Sequence, residues 1–190
     1  MSARRTVILR AAARVIAQRG IRGLRVEELA QEADVSTSLI YYHFRDRAGL
    51  LAHTLDFINA RAEHYTHPSS DPDADPRGHL EETLLLELQD TPAVVENSTA
   101  WGELRSTAVF QPELRPQLRA TTDSWNDYIG DLIHNAQQAG HAAPDASPEE
   151  AAARLTALVE GLSKRWLSGS LTLERARHLL RGAITAELAP

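Results

Sequence analysis

Hydroxyl, phenol and imidazole side chains are concentrated in residues 35–44 of this 190-residue chain, a stretch that reads VSTSLIYYHF. The hydroxyls of Thr37 and Ser38 can hydrogen-bond to several base edges, and Leu39 can contact the methyl group of thymine. Ile40 and Phe44 have the spacing of an apolar stripe, which would leave the polar side chains on another face of a helix. This combination suggests contact with DNA.

The elements around this stretch would place it on a helix that follows a tight turn. Ser36 is a favourable N-cap, because its hydroxyl can accept from an N–H of the first helical turn. Residues 26–33 predict a preceding helix that buries Leu29 and Ala30. Asp34 occupies the turn, since it tolerates left-handed φ better than most residues. Helix, turn and helix in this order predict a helix-turn-helix, whose second helix lies in the major groove of DNA.

A further helix is predicted on the N-terminal side of this unit. Apolar residues recur at steps of three and four along residues 5–19, and Gly20 is the expected terminator. Arg4 and Arg5 stand at its start. They could form an arm that reaches phosphates or the minor groove, or they could belong to a disordered terminus.

Residues 5–52 resemble the N-terminal domain of the TetR family of transcriptional regulators. The family pattern is a core residue, a capping Ser, three variable readers, an aliphatic residue, Tyr, a variable residue, His or Tyr, and Phe. The matching positions are Val35, Ser36, Thr37, Ser38, Leu39, Ile40, Tyr41, Tyr42, His43 and Phe44. The family's next helix opens with a cap, a phosphate-contacting Lys, a small residue and paired leucines, which here are Asp46, Arg47, Ala48-Gly49 and Leu50-Leu51. Arg25 departs from the usual Ser/Thr cap, and Leu39 departs from a common Thr or Ser.

The resemblance implies a DNA site made of eight residues: Ser36, Thr37, Ser38, Leu39, Tyr41, Tyr42, His43 and Arg47. Tyr41 and His43 would donate to phosphate oxygens, and Tyr42 would face the bases. Arg47 would contact phosphate at a helix N-terminus, where the dipole also favours an anion. The alternative for the two tyrosines and His43 is ordinary core packing. Arg45 could face a phosphate or simply be solvated.

Six more helices are predicted from helical spacing: one from about residue 47 to residue 67, then residues 77–90, 92–109, 112–139, 148–168 and 172–188. Residues 68–76 are rich in Pro, Ser and Asp and predict a connector without helix. Ser147 followed by Pro148 and two glutamates is a capping box with proline at the first helical position. The predicted fold is all-α with about nine helices. Residues 1–47 form the helix-turn-helix domain, and residues 48–190 form a helical ligand-binding and dimerisation domain.

Residues 92–189 more loosely resemble the C-terminal domains of the BetI-like subgroup, through Trp101, residues 112–115 (PELR), Trp125 and residues 160–162 (EGL). Apolar pockets with a few polar groups are the usual ligand sites. Five aromatic residues are candidates for lining one, although each could be core: Trp101, Phe110, Trp125, Tyr128 and Trp166. Asn97, His134 and Glu160 could supply polarity.

Small residues recur at four-residue steps in the helix over residues 148–168, at Ala153, Ala157 and Gly161. Such a row allows close helix approach. With Leu180 and Ile184 of the last helix, it could form a four-helix interface in a homodimer, as a palindromic operator requires. The alternative is that the row packs within one chain.

Charge is distributed unevenly along the chain. Residues 1–50 hold nine Arg and five Asp or Glu, giving +4, whereas the whole chain has a formal net charge of −6. A basic segment joined to an acidic body suits a protein that contacts nucleic acid with one part, although chance variation could produce the same asymmetry. If a ligand binds, the acidic body favours a neutral or cationic one.

Composition indicates a cytoplasmic protein without thiol chemistry. Absence of cysteine excludes disulfides and thiolate metal ligands. No apolar run approaches the roughly 18 residues of a membrane span, and Arg10 and Arg14 interrupt the apolar run that a signal peptide would need. No cofactor is expected. His64 and His67, followed by Asp71, Asp73 and Asp75, could bind a metal. Imidazoles also suit a helix C-terminus, and no metal site is predicted.

The expected function is sequence-specific DNA binding by a transcriptional regulator, a repressor that a small-molecule ligand releases from a palindromic double-stranded operator. One alternative is a regulator controlled by a protein partner without any small-molecule ligand. The other is an enzyme on a helical scaffold, which is disfavoured because the chain has no glycine-rich phosphate loop, no His-Glu-x-x-His and no nucleophile-elbow serine.

Overall fold

The computed structural model describes residues 3–66, 68–69 and 71–189. Over these residues the protein is all-α, as predicted, with nine α-helices and no strand. The helices are α1 (Ala3–Arg19), α2 (Val26–Glu32), α3 (Thr37–Phe44), α4 (Arg47–Tyr65), α5 (Pro76–Leu86), α6 (Pro92–Thr107), α7 (Arg115–Gln138), α8 (Pro148–Leu167) and α9 (Leu173–Leu188). Short 3-10 helices occur at Ile21–Gly23 and Pro112–Leu114.

Local capping chemistry sets the ends of several helices. The Ser36 hydroxyl accepts from the Leu39 N–H at 3.2 Å, and the Ser147 hydroxyl accepts from the Glu150 N–H at 3.3 Å. Gly20 has a φ of 70° after α1, and Asp34 has a φ of 52° in the turn before α3. These predicted starts, stops and turns are confirmed because each depends on residues close in sequence.

Two predicted helices have different bounds in the structure. Residues 112–139 are not one helix, since the stretch starts as the 3-10 helix Pro112–Leu114 and α7 begins only at Arg115. Pro116 explains the break, because it has no N–H for the Pro112 carbonyl and its ring would clash there. α5 begins at Pro76, a proline at the first helical position, and ends at Leu86 rather than near residue 90.

The chain packs into two compact units. Unit 1 consists of Met1–Ala62 and Val95–Arg119, and unit 2 consists of Glu63–Val94 and Ala120–Pro190. The core of unit 1 joins α1–α4 with Ala100 and Leu104 of α6, and the core of unit 2 joins α5, α7, α8 and α9. The predicted division after residue 47 stays a prediction, since packing groups part of α6 with the first four helices.

Two features of the part of the chain that the structure describes bear on membranes and metals. No helix there is long and apolar enough to cross a membrane. No group of three or more His, Asp or Glu side chains there could hold a metal ion. His67, one of the two histidines considered for a metal, lies outside the described residues.

Candidate nucleic-acid interface

α3 has one buried face and one open face. Ile40 and Phe44 are each 2% exposed, whereas Tyr42 is 81% exposed and Tyr41 is 48% exposed. Core packing is therefore the wrong interpretation for the two tyrosines. His43 is half-buried, and its ring meets the Tyr42 ring edge-on at 5.3 Å between centroids. The short helix is anchored by two large apolar side chains and presents phenol groups to solvent.

The N-terminal half of α3 borders an open groove, which we call the first groove. Ser36, Thr37 and Leu39 line it together with Arg4 from the start of α1 and Gln31 from α2. Ser38 is exposed. Thr37 and Leu39 therefore share a groove with an arginine of α1, although α1 and α3 are separated in sequence by the whole of α2.

A second open groove lies at the C-terminal end of α3, and we call it the second groove. Its lining residues include Arg5, Tyr42, His43, Arg45, Gly49 and His53. The Arg5 guanidinium lies over the Phe44 ring at 5.7 Å, and the His53 ring lies 5.7 Å from the same ring. The groove thus gathers two arginines and two imidazoles, a combination suited to an anion.

Arg47, predicted to contact phosphate, has an internal partner. Its guanidinium donates to the Ile21 carbonyl at 2.7 Å, and the side chain is half-buried. The predicted cap next to it is present, because the Asp46 carboxylate accepts from the Gly49 N–H at 2.7 Å. Arg47 therefore ties the start of α4 to the connector between α1 and α2, and its contact with DNA stays a prediction.

The five aromatic candidates for a ligand pocket divide between the two units. Trp101 and Phe110 belong to unit 1. The Trp101 indole N–H donates to Asn59 at 3.2 Å, the Arg105 guanidinium covers its ring at 4.3 Å, and Phe110 is 87% exposed. Trp101 therefore packs within unit 1, and Phe110 lies at the surface.

Unit 2 holds the other three aromatic candidates. Trp125 and Trp166 are half-buried against its core, and Tyr128 is 39% exposed with its ring 5.8 Å from the Trp125 ring. Of the polar candidates, the Asn97 amide donates to the Ile58 carbonyl in unit 1, and His134 is exposed in unit 2. A role in ligand binding stays a prediction for all of these residues.

Glu87, at the end of α5, is a functional candidate that the sequence analysis missed. Burial in unit 2 and, to a smaller extent, the nearby Glu160 carboxylate raise the pKa of Glu87 to about 7. The residue nevertheless keeps part of its surface accessible. One signal was present, since Glu87 follows Leu80 and Leu84 at the spacing of their apolar stripe, where a charged residue is unexpected.

Residues proposed for a dimer interface fall into two groups. Ala153, Ala157 and Gly161 are exposed along α8, as an interface would require. Leu180 and Ile184 are fully buried in the core of unit 2, so neither is at a surface that a second chain could contact. They share the inner stripe of α9 with Ala176 and Leu188. The exposed residues of α9 include Leu179, Gly182 and Ala186.

Comparison with known proteins agrees with this arrangement. Residues 8–54 match the family model "Bacterial regulatory proteins, tetR family", and residues 76–189 match "BetI-type transcriptional repressor, C-terminal". The HTH-type transcriptional regulator BetI of Burkholderia thailandensis is 30% identical over 173 residues, covering 88% of this chain and 82% of the relative. The regulator TtgR of Pseudomonas putida is 27% identical over 167 residues, covering 86% and 80%.

Solved structures show the same likeness over nearly the whole chain. A TetR-family transcriptional regulator from Rhodococcus sp. is 48% identical with a TM-score of 0.92, covering 100% of both chains. A transcriptional regulator from Saccharomonospora viridis, crystallised in complex with choline, is 26% identical with a TM-score of 0.80, covering 97% of this chain and 96% of that one.

The all-α fold, with a helix-turn-helix whose second helix has an open face, defines a DNA-binding transcriptional regulator. The chain belongs to the TetR family, and its C-terminal part is of the BetI type. Proteins of this family are typically ligand-responsive repressors. The resemblance of residues 5–52 to the TetR family, and the looser one of residues 92–189 to the BetI-like subgroup, are both confirmed.

Proposed function

We propose that the protein is a homodimeric repressor that binds a palindromic operator through α3 and leaves it when a cationic small molecule binds in unit 2. The observation that carries the DNA-binding part is the asymmetry of α3. Burial of Ile40 and Phe44 holds the helix in place, while Tyr41 and Tyr42 remain open to a partner. A rigid helix with exposed polar and aromatic side chains is suited to the major groove.

Roles within the interface follow from the position of each side chain on α3. Thr37, Ser38, Leu39 and Tyr42 would contact base edges, and these contacts carry sequence preference. Tyr41 and His43 would donate to phosphates and hold the helix in register. Ser36 acts through its cap, which keeps the first turn of α3 helical at the protein surface.

A palindromic operator requires two copies related by a two-fold axis. We assign the contact to the exposed small residues of α8, namely Ala153, Ala157 and Gly161, together with Gly182 and Ala186 of α9. Arg154 of α8 braces the two helices through Glu187 of α9, with N–O distances of 2.7 and 2.8 Å. Binding in successive major grooves would require the two α3 helices to lie about 34–36 Å apart, one turn of DNA.

A cationic ligand is supported by the charge and aromatic content of unit 2. Burial raises the pKa of Glu87, and the nearby Glu160 carboxylate raises it further, so a cation bound beside the two carboxylates would favour their charged forms. Trp125, Tyr128 and Trp166 belong to the same unit, and aromatic faces bind quaternary ammonium groups. The related regulator from Saccharomonospora viridis was crystallised with choline. Release from DNA would need a differential affinity of a few kcal/mol between the two conformations.

Selection of bound sequences from random duplex DNA tests the DNA-binding part. We expect the purified protein to recover a palindrome at physiological salt, with a half-site spacing that reports the distance between the two α3 helices. Repeating the selection after unfolding and refolding removes any ligand that was purified with the protein. Failure to recover a motif from refolded, ligand-stripped protein would contradict the proposal. Because the operator is chromosomal DNA, we place the protein in the cytoplasm and assign it no catalytic step.

A charged ligand and its neutral isostere together test whether the protein responds to a cation. Choline and its neutral isostere 3,3-dimethylbutan-1-ol differ mainly in charge, so we expect only choline to release the selected DNA. The variant Glu87→Gln should respond to choline at least tenfold less, whereas Glu174→Gln, at an exposed position of α9, should respond normally. Equal responses to the two ligands, or a full response in Glu87→Gln, would argue against a cation site.

Control by a protein partner remains a second candidate because of one exposed apolar turn. Val109 is 64% exposed and Phe110 is 87% exposed after α6. The Arg115 guanidinium donates to the carbonyls of Ala108 and Val109, both at 2.9 Å, which fixes the turn. A regulator of this kind would stay bound to its operator in the presence of every cation tested. The variant Phe110→Ser would abolish regulation by the protein partner without changing the affinity for DNA.

A further inference from the structure

The link between α3 and α4 has an unusual backbone at Arg45. Its φ is 65° and its ψ is −58°, and the Asp46 N–H donates across it to the Phe44 carbonyl at 2.8 Å. This is a γ-turn with positive φ, a strained form that is rare for residues other than glycine. An arginine at such a position costs stability. That cost points to a use for its side chain, because glycine would adopt the same backbone without strain.

The turn directs the chain along the wall of the second groove. Arg45 is exposed there, and the half-buried Arg5 reaches the same groove from α1. The approach of α4 to the end of α3 is close, since a Cβ on Gly49 would collide with the Phe44 carbonyl oxygen. A small anion entering this groove would therefore meet guanidinium groups from two separate elements.

The other polar side chains at the groove are compatible with an anion. His43 and His53 also line it and can donate from their ring nitrogens. The two carboxylates nearby are already engaged: Asp46 accepts from the Gly49 N–H at 2.7 Å, and Asp56 lies 3.6 Å from the His53 ring nitrogen. Positive charge thus dominates the groove.

Arg47, two residues further on, is arranged differently. Its guanidinium donates at 2.7 Å to the Ile21 carbonyl, and its side chain is half-buried. The Ile21 N–H also donates to Glu103 of α6, at 3.4 Å. Glu103 therefore accepts from the N–H of Ile21, and Arg47 donates to the carbonyl of the same residue, at the start of the 3-10 helix Ile21–Gly23. Arg47 thus has a structural role.

We propose that the second groove seats one phosphate of the DNA backbone, with Arg45 and Arg5 as its ligands, and that Arg47 acts inside the protein instead. This inference rests on the proposed DNA-binding function and exchanges the roles of two neighbouring arginines. Guanidinium groups bind phosphate through paired N–H donors. Each phosphate neutralised in this way releases counterions, so it steepens the dependence of affinity on salt.

Salt titrations of DNA binding by variants of the full chain test the exchange. For Arg45→Ala we expect affinity to fall about tenfold on both selected and random duplexes, and the slope of log K against log salt to become shallower by about 0.9. Arg45→Gly should show the same loss while its Tm stays equal or rises, because glycine relieves the strained turn. For Arg5→Ala we also expect a shallower slope of log K against log salt. Arg119→Ala removes an equal charge at an exposed position of unit 1 outside both grooves, and it should change nothing.

Arg47→Met provides the opposite expectation. Its Tm should fall by about 2–6 °C, since the Ile21 carbonyl loses a charged donor. Its salt slope should match the wild type at a temperature where both are folded. A wild-type slope in Arg45→Ala, or a shallower slope in Arg47→Met, would overturn the exchange. Failure of the wild-type protein to bind any DNA would instead overturn the proposed function.

Neutral methylphosphonate linkages, placed one at a time along the selected duplex, separate a DNA phosphate from a free anion. The wild type should lose affinity at one backbone position of each half-site, and Arg45→Ala should lose nothing further at that position. If every linkage costs both proteins equally, and inorganic phosphate weakens DNA binding by the wild type alone, the groove holds a free anion and the proposal is wrong.

Discussion

Unit 1 and unit 2 use their arginines differently. In unit 2, Arg77 donates to the carbonyls of Ile184 and Leu188, Arg177 donates to those of Leu85 and Leu88, and Arg154 pairs with Glu187. In unit 1, Arg47 is similarly internal, but Arg4 and Arg45 stand exposed on the walls of the two grooves beside α3. These arginines of unit 2 are bonded within the unit, whereas some arginines of unit 1 are exposed where an anionic partner could bind them.

The two uses have different energetic consequences. Exposed ion pairs contribute little to stability, typically about 0–1 kcal/mol. A charged donor to helix-end carbonyls contributes more, because removing it takes a strong hydrogen bond from partly buried acceptors. Substitutions in unit 2 should therefore change stability, and substitutions around α3 should change DNA binding.

The largest stability effect is expected for Arg177→Met. Two carbonyls, those of Leu85 and Leu88, would lose a donor that lies at 3.0 and 2.7 Å. We expect the free energy of unfolding to fall by about 2–4 kcal/mol, measured by urea titration. The exposed Arg175→Met on the same helix is the matched control and should change it by less than about 0.5 kcal/mol. A loss as small as that of the control would remove the contrast between the units.

Tyr42→Ala should have the reverse profile. We expect the ratio of affinities for the selected operator and random DNA to fall about 10–100-fold, because a base contact is lost. The free energy of unfolding should stay within about 0.5 kcal/mol, since the ring is 81% exposed. Phe110→Ala, another exposed aromatic of unit 1, should leave the ratio unchanged. An equal loss on both DNAs would assign Tyr42 to the backbone rather than to the bases.

Glu87 is a carboxyl group of unit 2 whose burial disfavours its charged form. Its pKa is raised to about 7, so between pH 4.5 and 7 the folded protein holds a proton that the unfolded chain releases. Stability contributed by this group is therefore present below pH 4.5 and is lost as pH rises through 7. From pH 5 to pH 8, we expect the wild type to lose about 1–3 kcal/mol more than Glu87→Gln. Parallel curves for the two proteins would show that Glu87 ionises as it does in the unfolded chain.

The smallest effect is expected for Ser36→Ala. Loss of the cap on α3 should cost about 1 kcal/mol, and Ser36→Gly should cost only a few tenths. Ser38→Ala, at an exposed position inside the helix, is the control and should be close to neutral. Equal costs for the three variants would mean that burial of Ile40 and Phe44 holds α3 without help from its cap.

Local signals predicted much of the fold. The bounds of α2, α3 and α8 agree with prediction within a residue or so. A serine cap coincides with apolar spacing at α3 and α8, and the turn at Asp34 marks the end of α2. The break before α7 was not predicted, although Pro116 explains it. The apolar spacing continues across the break and therefore predicted one helix. α5 ends early where Arg177 of α9 donates to the carbonyl of Leu85, in the last turn of α5, and to that of Leu88, just beyond it. Arg177 lies too far along the chain for local reasoning to find.

The exposure of the predicted site residues agreed with prediction where helical periodicity alone decides which face of a helix is buried in the protein core. Periodicity did so for α3, where Ile40 and Phe44 are buried and the tyrosines exposed. It did not for α9, where Leu180 and Ile184 were assigned to an interface between chains and instead belong to the core of unit 2. A helical stripe identifies an apolar face, but the identity of what covers that face depends on tertiary packing.

By itself, the sequence determined the family, the all-α class, the helix-turn-helix and the open face of α3, because capping, turn conformation and helical spacing act between residues close in the chain. Only the tertiary structure decided that Arg47 binds the Ile21 carbonyl while Arg45 lines a groove with Arg5, and that Glu87 lies near Glu160. Those arrangements join elements distant in sequence, and the partner of a long charged side chain is settled by which donors and acceptors packing brings within reach.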